Sequence, residues 1–216
     1  MPNSITFIGL GIISIEFASI AVKAGVETHM IHVDDQPLRG FYSAHVEKLM
    51  DKLKEEGVHF HMSENVVAVK ENGTNYDVVT QSGLTIQSDY VLDATGRMPN
   101  VEGIGLEEVG IEYSKFGVKV DEYLRTNVPN IYASGDVIEK MIPKLTPTAT
   151  FESNYIAAHI LKMNEMPIQY PAIPSVLYSL PRLSNIGVGI EEAKNNDEYK
   201  VIDICLLYTS DAADER

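Results

Sequence analysis

The sequence predicts an α/β fold: a parallel βαβ unit that carries an antiparallel insertion. Three observations carry this reading. A short apolar run, Ile5 to Ile8, ends in Gly9-Leu10-Gly11, and from Ile12 to Ala24 the apolar residues recur at helical spacing, the pattern of strand, tight turn and helix. A second cycle follows, in which Gly25 stops the helix, VETHMIHV reads as a strand and SAHVEKLMDKLKEE, 43 to 56, reads as an amphipathic helix stopped by Gly57. Then VHFHM and VVAVK alternate as strands, and NYDVVTQSGLTIQSDYVLDA reads as a hairpin turning at Ser82-Gly83 before a buried strand, YVLDA.

After Arg97 the texture changes. MPNVEGIGLEEVGIEYSKFG is punctuated by Gly and Pro, the mark of a domain crossing. Strand KVDEYL, strand IYASGD and a helix from about Thr148 to Met163 are predicted next. A third texture starts at MPIQYPAIPS, with strand SVLYSL, strand SNIGVG, a helix opening at Glu191-Glu192 and strand YKVIDI. The last stretch, CLLYTSDAADER, 205 to 216, has no apolar period and resembles the in-frame translation of a transposase adapter used in sequencing libraries, so it is read as an artefact rather than a natural C-terminal peptide.

Composition excludes several classes. A net charge of -14 argues against nucleic acid or an acidic membrane as partner, because phosphate backbones call for clustered Lys and Arg. The chain has 44% hydrophobic residues, but no apolar run reaches the ~18 residues of a membrane span, and its start lacks a targeting pattern, so a cytoplasmic protein is expected. Cys205 is the sole cysteine, which leaves neither a disulfide framework nor a CxxC site.

The chemistry concentrates in GLGIIS. Gly9 permits the sharp turn, Gly11 lets the backbone approach a pyrophosphate, and the following helix aims its free N–H groups and positive dipole end at the phosphates. Ser14 stands where a third glycine would ease helix–strand packing, a small-for-small exchange. Strand, GxGxxS-type turn and helix within one βαβ unit read as a dinucleotide site; an ordinary tight turn is the bland alternative. The end of the second strand selects the cofactor, since an acidic residue there accepts from the ribose 2′-hydroxyl of NAD. Here it holds His32 and Val33 instead, and Arg39 is placed to pair with a 2′-phosphate, which favours NADP over NAD. Asp34 and Asp35 keep the NAD reading open. His59 and His61 alternate on one strand with no third ligand at useful spacing, so they are read as strand-face histidines and no metal site is expected. His29, His45 and His159 receive no role.

The order FIGLGIISIEFA, DYVLDATGRMPN, TNVPNIYASGDV, KLTPTATFES, IPSVLYSLPRLSNIGVGIEEA resembles the flavin-dependent pyridine nucleotide-disulfide oxidoreductases, within them the glutathione reductase, mercuric reductase and dihydrolipoamide dehydrogenase class. The likeness runs from residue 4 to about 204. It implies a Rossmann-like nicotinamide-binding domain over 1–97, a returning segment of an FAD-binding domain over 98–166 and the start of an α+β dimerisation domain over 167–204. It implies FAD as second cofactor, a small-molecule or protein disulfide as substrate, and a homodimer. Asp136 would accept a hydrogen bond from a ribityl hydroxyl of FAD, and Lys144, Leu145, Thr146 and Pro147 would open a helix beneath the flavin, where its N-terminus stabilises negative charge. Glu16 would pair with a flavin-domain lysine outside this chain and so support the hydride-transfer site. With Gly9, Leu10, Gly11, Ile13 and Ser14, the residues Ile12, Val66 and Gly96 would line the nicotinamide cofactor, Ile12 replacing a common tyrosine lid.

The family's redox-active cysteine pair and its C-terminal His-Glu acid-base pair have no counterpart here. The resemblance therefore implies an internal fragment with no catalytic residue of its own, from a parent that passes hydride from NAD(P)H to FAD and electrons on to a disulfide. An NADH oxidase or coenzyme A-disulfide reductase with a single cysteine, and a non-catalytic nucleotide-binding redox module, stay open as alternatives.

Overall fold

The computed structural model describes residues 1–202 and 204. Strand β1 (Ser4–Ile8) leads through Gly9, at φ +92°, into helix α1 (Ile12–Lys23). Strand β2 (Glu27–Ile31), helix α2 (Ser43–Glu55) and strand β3 (Val58–His61) follow. An antiparallel meander of β4 (Val66–Asn72), β5 (Asn75–Thr80) and β6 (Thr85–Ser88) turns, as expected, at Ser82 and Gly83, the latter at φ +93°. Strand β7 (Tyr90–Asp93) then returns to the first sheet, whose order is β3-β2-β1-β7 with every pairing parallel.

Strand alternation divides the sheet's two faces. Ile5, Phe7, Met30 and Val58 pack with Ile15 and Ala18 of α1 and with Val46, Leu49, Met50 and Leu53 of α2. The α2 residues recur at the spacing of one helical stripe, which is why the sequence pattern located this helix. On the other face Ile8 and Ile31 meet Val78 and Ile86 of the meander. A buried pair, Thr6 Oγ1 and Ser88 Oγ at 2.6 Å, satisfies both hydroxyls where β1 passes under the meander. Helix α1 is apolar on both sides: Ile13, Phe17 and Ile20 stay exposed opposite its buried face.

Past Arg97 regular structure thins. A two-residue ladder joins β8 (Tyr113–Ser114) to β9 (Gly117–Val118). The predicted strand KVDEYL is not formed. Asp121 Oδ1 instead accepts the N–H groups of Tyr123 and Arg125, each at 2.9 Å, and curls the chain into a turn. The predicted strand IYASGD is reduced to one antiparallel bridge, Arg125 with Tyr132, before a 3-10 turn at Gly135–Val137. Its β-branched and aromatic residues favour extended backbone, but a strand also needs a neighbour along its edge, and among the described residues only that bridge supplies one. Helix α3 (Thr146–Ile160) starts with Pro147 in its first turn and ends before Lys162, whose φ of +56° closes it.

The third segment forms a hairpin of β10 (Ser175–Leu177) and β11 (Leu183–Asn185), shorter than the two strands predicted there, and a brief helix α4 (Ile190–Lys194). Leu177 is fully buried in the same core as α1 and α2, so this hairpin packs on the nucleotide-type unit. The predicted strand YKVIDI is absent at residues 199–202 and 204, again with no paired edge among the described residues. The adapter-like stretch 205–216 lies outside them.

Gly117 carries the closest backbone approach in the second part of the chain. At φ +131°, a Cβ there would stand 2.3 Å from the Val137 carbonyl oxygen and 2.7 Å from the Ile138 carbonyl carbon. Gly117→Ala is expected to lower stability by roughly 2–4 kcal/mol, read from the urea midpoint. Gly73→Ala, at φ +67° with nothing within 4 Å, should lose only about 1 kcal/mol. Equal losses would show that the close approach is not what demands glycine at 117.

Candidate functional site

The turn after β1 is built by pairing on both sides. The Gly9 N–H donates to the Ile31 carbonyl at 2.8 Å, and the Ala94 N–H donates to the Ile8 carbonyl at 2.9 Å, so the ends of β1, β2 and β7 open onto one edge. A Cβ on Gly9 would lie 2.7 Å from the Ala94 carbonyl oxygen, so this glycine answers to close approach as well as to turn geometry. Gly11 is extended and nothing lies within 4 Å of where its Cβ would stand. The first bond of α1 runs from the Ile15 N–H to the Gly11 carbonyl, leaving the N–H groups before it without intrahelical acceptors. Ser14 is fully buried and its hydroxyl finds no partner in the protein. The open space beside Gly11 and the free donors at the start of α1 fit a bound pyrophosphate, while Ser14 lies on the buried face of the helix.

His32 braces this turn. Its Nδ1 accepts the Leu10 N–H at 3.3 Å. Val33 is exposed. Arg39, expected to be free for a phosphate, pairs with Asp34 at 2.8 Å. Both side chains face solvent, so the pair contributes at most about 1 kcal/mol and is readily exchanged. Glu16 is engaged through Oε1, which accepts the Tyr178 N–H at 2.7 Å and ties α1 to the segment after β10. Val66 opens β4 and packs partly buried against Ile31, Val78 and Ile86, while Gly96 sits exposed at φ +125°.

Gly96 leads to Arg97, whose Nη1 lies 3.0 Å from Asp136 Oδ2. The crossing motif and the Gly-Asp turn, far apart in sequence, are thus brought together. Lys144 does not reach outward. Its Nζ donates to the Asp136 carbonyl at 2.9 Å and to the Phe116 carbonyl at 3.2 Å. Leu145 precedes the first turn of α3, Thr146 and Pro147 open it, and Thr148 is buried there with its hydroxyl unpartnered. An exposed carboxylate beside a helix N-terminus with an orphaned hydroxyl fits one wall of a flavin site.

Beneath the turn lies a group that sequence reasoning missed. Glu152, fully buried in α3, accepts the Gly135 N–H at 2.6 Å, Lys140 Nζ at 2.6 Å and the Tyr170 hydroxyl at 2.9 Å. Burial, and then the carboxylate beside it, push the Tyr170 hydroxyl well above the ordinary tyrosine range. The available signal was Glu152's place on the buried stripe of α3 with Thr148 and Tyr155.

The strand histidines gain a neighbour that the sequence did not show. A third one does stand beside His59 and His61: His29 Nδ1 is 3.1 Å from His61 Nε2, and its ring stacks on His59 with centroids 4.9 Å apart. The parallel register pairs His29 with His59, which spacing along the sequence does not reveal. Burial and the two neighbouring imidazoles lower the His61 pKa. Among the described residues no group of three His, Cys, Asp or Glu is placed to hold a metal ion.

Residues 1–153 match the family described as pyridine nucleotide-disulphide oxidoreductase. The glutathione reductase of Burkholderia cepacia is 36% identical over 204 residues, 94% of this chain and 44% of that protein. A dihydrolipoyl dehydrogenase of Bacillus subtilis (strain 168) is 36% identical over 199 residues, 90% of this chain and 42% of its own length. The crystal structure of LpdA from Mycobacterium tuberculosis superposes with a TM-score of 0.82 at 25% identity, covering 90% of this chain and 42% of that one. The chain thus spans less than half the length of these relatives. With a family match across most of its length, this chain belongs to the pyridine nucleotide-disulphide oxidoreductase family.

Proposed function

We propose that this chain is the nicotinamide-binding part, with one wall of the flavin site, of an FAD-dependent NAD(P)H:disulfide oxidoreductase that works as a homodimer. In this reading residues 1–97 bind the nicotinamide cofactor, 98–166 belong to the FAD-binding domain and 167–204 open the dimerisation domain. The observation that carries it is the convergence of Gly9, Gly11 and His32 at one sheet edge, with the crossing residue Arg97 reaching the Gly-Asp turn. Bound NAD(P)H and FAD would supply the hydride chemistry. The chain's own residues bind and orient. The free N–H groups at the start of α1 hold a pyrophosphate, His32 keeps the Gly9–Gly11 turn in shape, and Ile12, Val66 and Gly96 line the nicotinamide side. Glu16, anchored by the Tyr178 N–H, supports the hydride-transfer site. Asp136 accepts from a ribityl hydroxyl, and the Lys144 to Pro147 segment sets the helix N-terminus beneath the ring.

Arg39 leaves Asp34 for the 2′-phosphate, which makes NADPH the preferred cofactor. A charge-assisted contact is worth about 1.5–3 kcal/mol, so Arg39→Ala should weaken NADPH roughly tenfold to a hundredfold and leave NADH nearly unchanged in titration calorimetry. Asp34→Asn, which releases Arg39 beforehand, should tighten NADPH. A wild-type preference for NADH, or equal losses for both cofactors, would assign cofactor choice to Asp34 or Asp35 on the ribose hydroxyl.

Purified alone, the chain is expected to carry no flavin absorbance and to reduce no disulfide. One carboxylate and one helix end do not offset the entropy of immobilising so large a cofactor, and Cys205 has no second cysteine with which to form a dithiol. A yellow chain that turns over a disulfide with NADPH would overturn the division of labour given above.

A further inference from the structure

Three charged side chains from separate stretches converge on the two residues of the Gly-Asp turn. Arg97 pairs with the Asp136 carboxylate, Lys144 Nζ donates to the Asp136 carbonyl, and Glu152 Oε2 accepts the Gly135 N–H at 2.6 Å. The first two contacts are solvated. The third differs in kind: Glu152 is fully buried, and the Lys140 side chain that pairs with it at 2.6 Å is only 6% exposed. Tyr170 fills a further acceptor position from the connector that leads to β10.

A buried ion pair is poor value as a source of stability, because desolvating both charges offsets most of their attraction. Its contribution is definition, since the partners are tolerated in one arrangement only. Glu152 directs that definition at a single backbone donor, the Gly135 N–H, one peptide before Asp136. Gly135 itself stands at φ +80°, a backbone conformation that side chains other than glycine rarely adopt, beside the Ala149 Cβ of α3. Backbone that is determined this redundantly belongs to sites where placement matters more than economy.

We infer that Glu152, locked by Lys140 and Tyr170, is a positioning residue that fixes where the Asp136 carboxylate stands for the flavin. This deepens the flavin reading above and rests on it. Without Glu152 the Gly135 N–H is released, the 135–137 turn samples other arrangements, and Asp136 meets its ligand only part of the time. The result is weaker flavin binding with the rest of the fold intact.

The test has two arms. In the 216-residue chain, Glu152→Ala is expected to raise amide exchange at residues 135–137 tenfold or more while β1 and α2 keep their protection. Unchanged exchange at the turn would overturn the inference without reference to flavin. In the full-length protein, Glu152→Ala should weaken FAD binding at least tenfold, measured by flavin release and fluorescence. Glu152→Gln alone leaves the Lys140 charge buried and unmatched, whereas Glu152→Gln with Lys140→Met keeps the acceptor for the Gly135 N–H and removes both charges. The double variant should therefore recover FAD affinity, a rescue that a loss of folding would not give. Asp136→Ala is the reference. Weaker FAD binding in Asp136→Ala with none in Glu152→Ala would sink the inference and spare the flavin reading. A full-length protein that binds no FAD would remove the flavin reading and, with it, the role assigned to Glu152.

Discussion

Everything in the nucleotide-type unit depends on β1 being paired in parallel on both edges. Register aligns Ile8 with Ile31 on one side and with Asp93 on the other, so three strands end together. Parallel pairing forces the connections to cross over the sheet, and the loops that matter gather at the carboxyl edge. Gly9 turns there because Ala94 leaves it no room for a side chain, and α1 begins there because Gly9 has turned. His32 then reaches back to the Leu10 N–H from the end of β2. One pairing scheme fixes the turn, the helix start and the histidine at once.

The ion pairs of the chain sort by burial in a way that matches their proposed tasks. Arg39–Asp34 and Arg97–Asp136 are both solvated and join charges on segments where a ligand is proposed to arrive. Such pairs hold a side chain in place cheaply and yield to a better partner. Lys140–Glu152 is buried, and its carboxylate accepts a backbone N–H. The exposed pairs face outward and the buried pair lies beneath the turn.

What the sequence made legible is local. The stripe of Val46, Leu49, Met50 and Leu53 announces α2, Gly25 and Gly57 mark helix ends, and Ser82-Gly83 announces the hairpin. What it concealed is non-local. KVDEYL, IYASGD and YKVIDI have strand composition, yet pairing is a property of two segments, and Asp121 captures two N–H groups that a ladder would have used. His29 joins His59 and His61 only through register. Glu152 looked like one more acidic residue in an acidic chain, because neither Lys140 nor Tyr170 lies at a spacing that signals contact. Arg39 was legible as a candidate, but its pairing with Asp34 was one of several choices the loop offered.

The antiparallel meander has a consequence for how the sheet assembles. Ile5 pairs with Thr28 nearby in sequence but also with Tyr90, much farther along. Closing a loop several times longer costs about 1 kcal/mol more in chain entropy, and the β1–β7 pairing bears that cost. The meander reduces it, since β4, β5 and β6 pair with their immediate neighbours and so shorten the free span that must be closed to less than its full contour. Because Ala94, next to β7, closes the turn at Gly9, the shape of that turn depends on a strand the chain reaches only after the meander. The insertion thus lets a sequence-distant strand close the edge on which the turn at Gly9 depends.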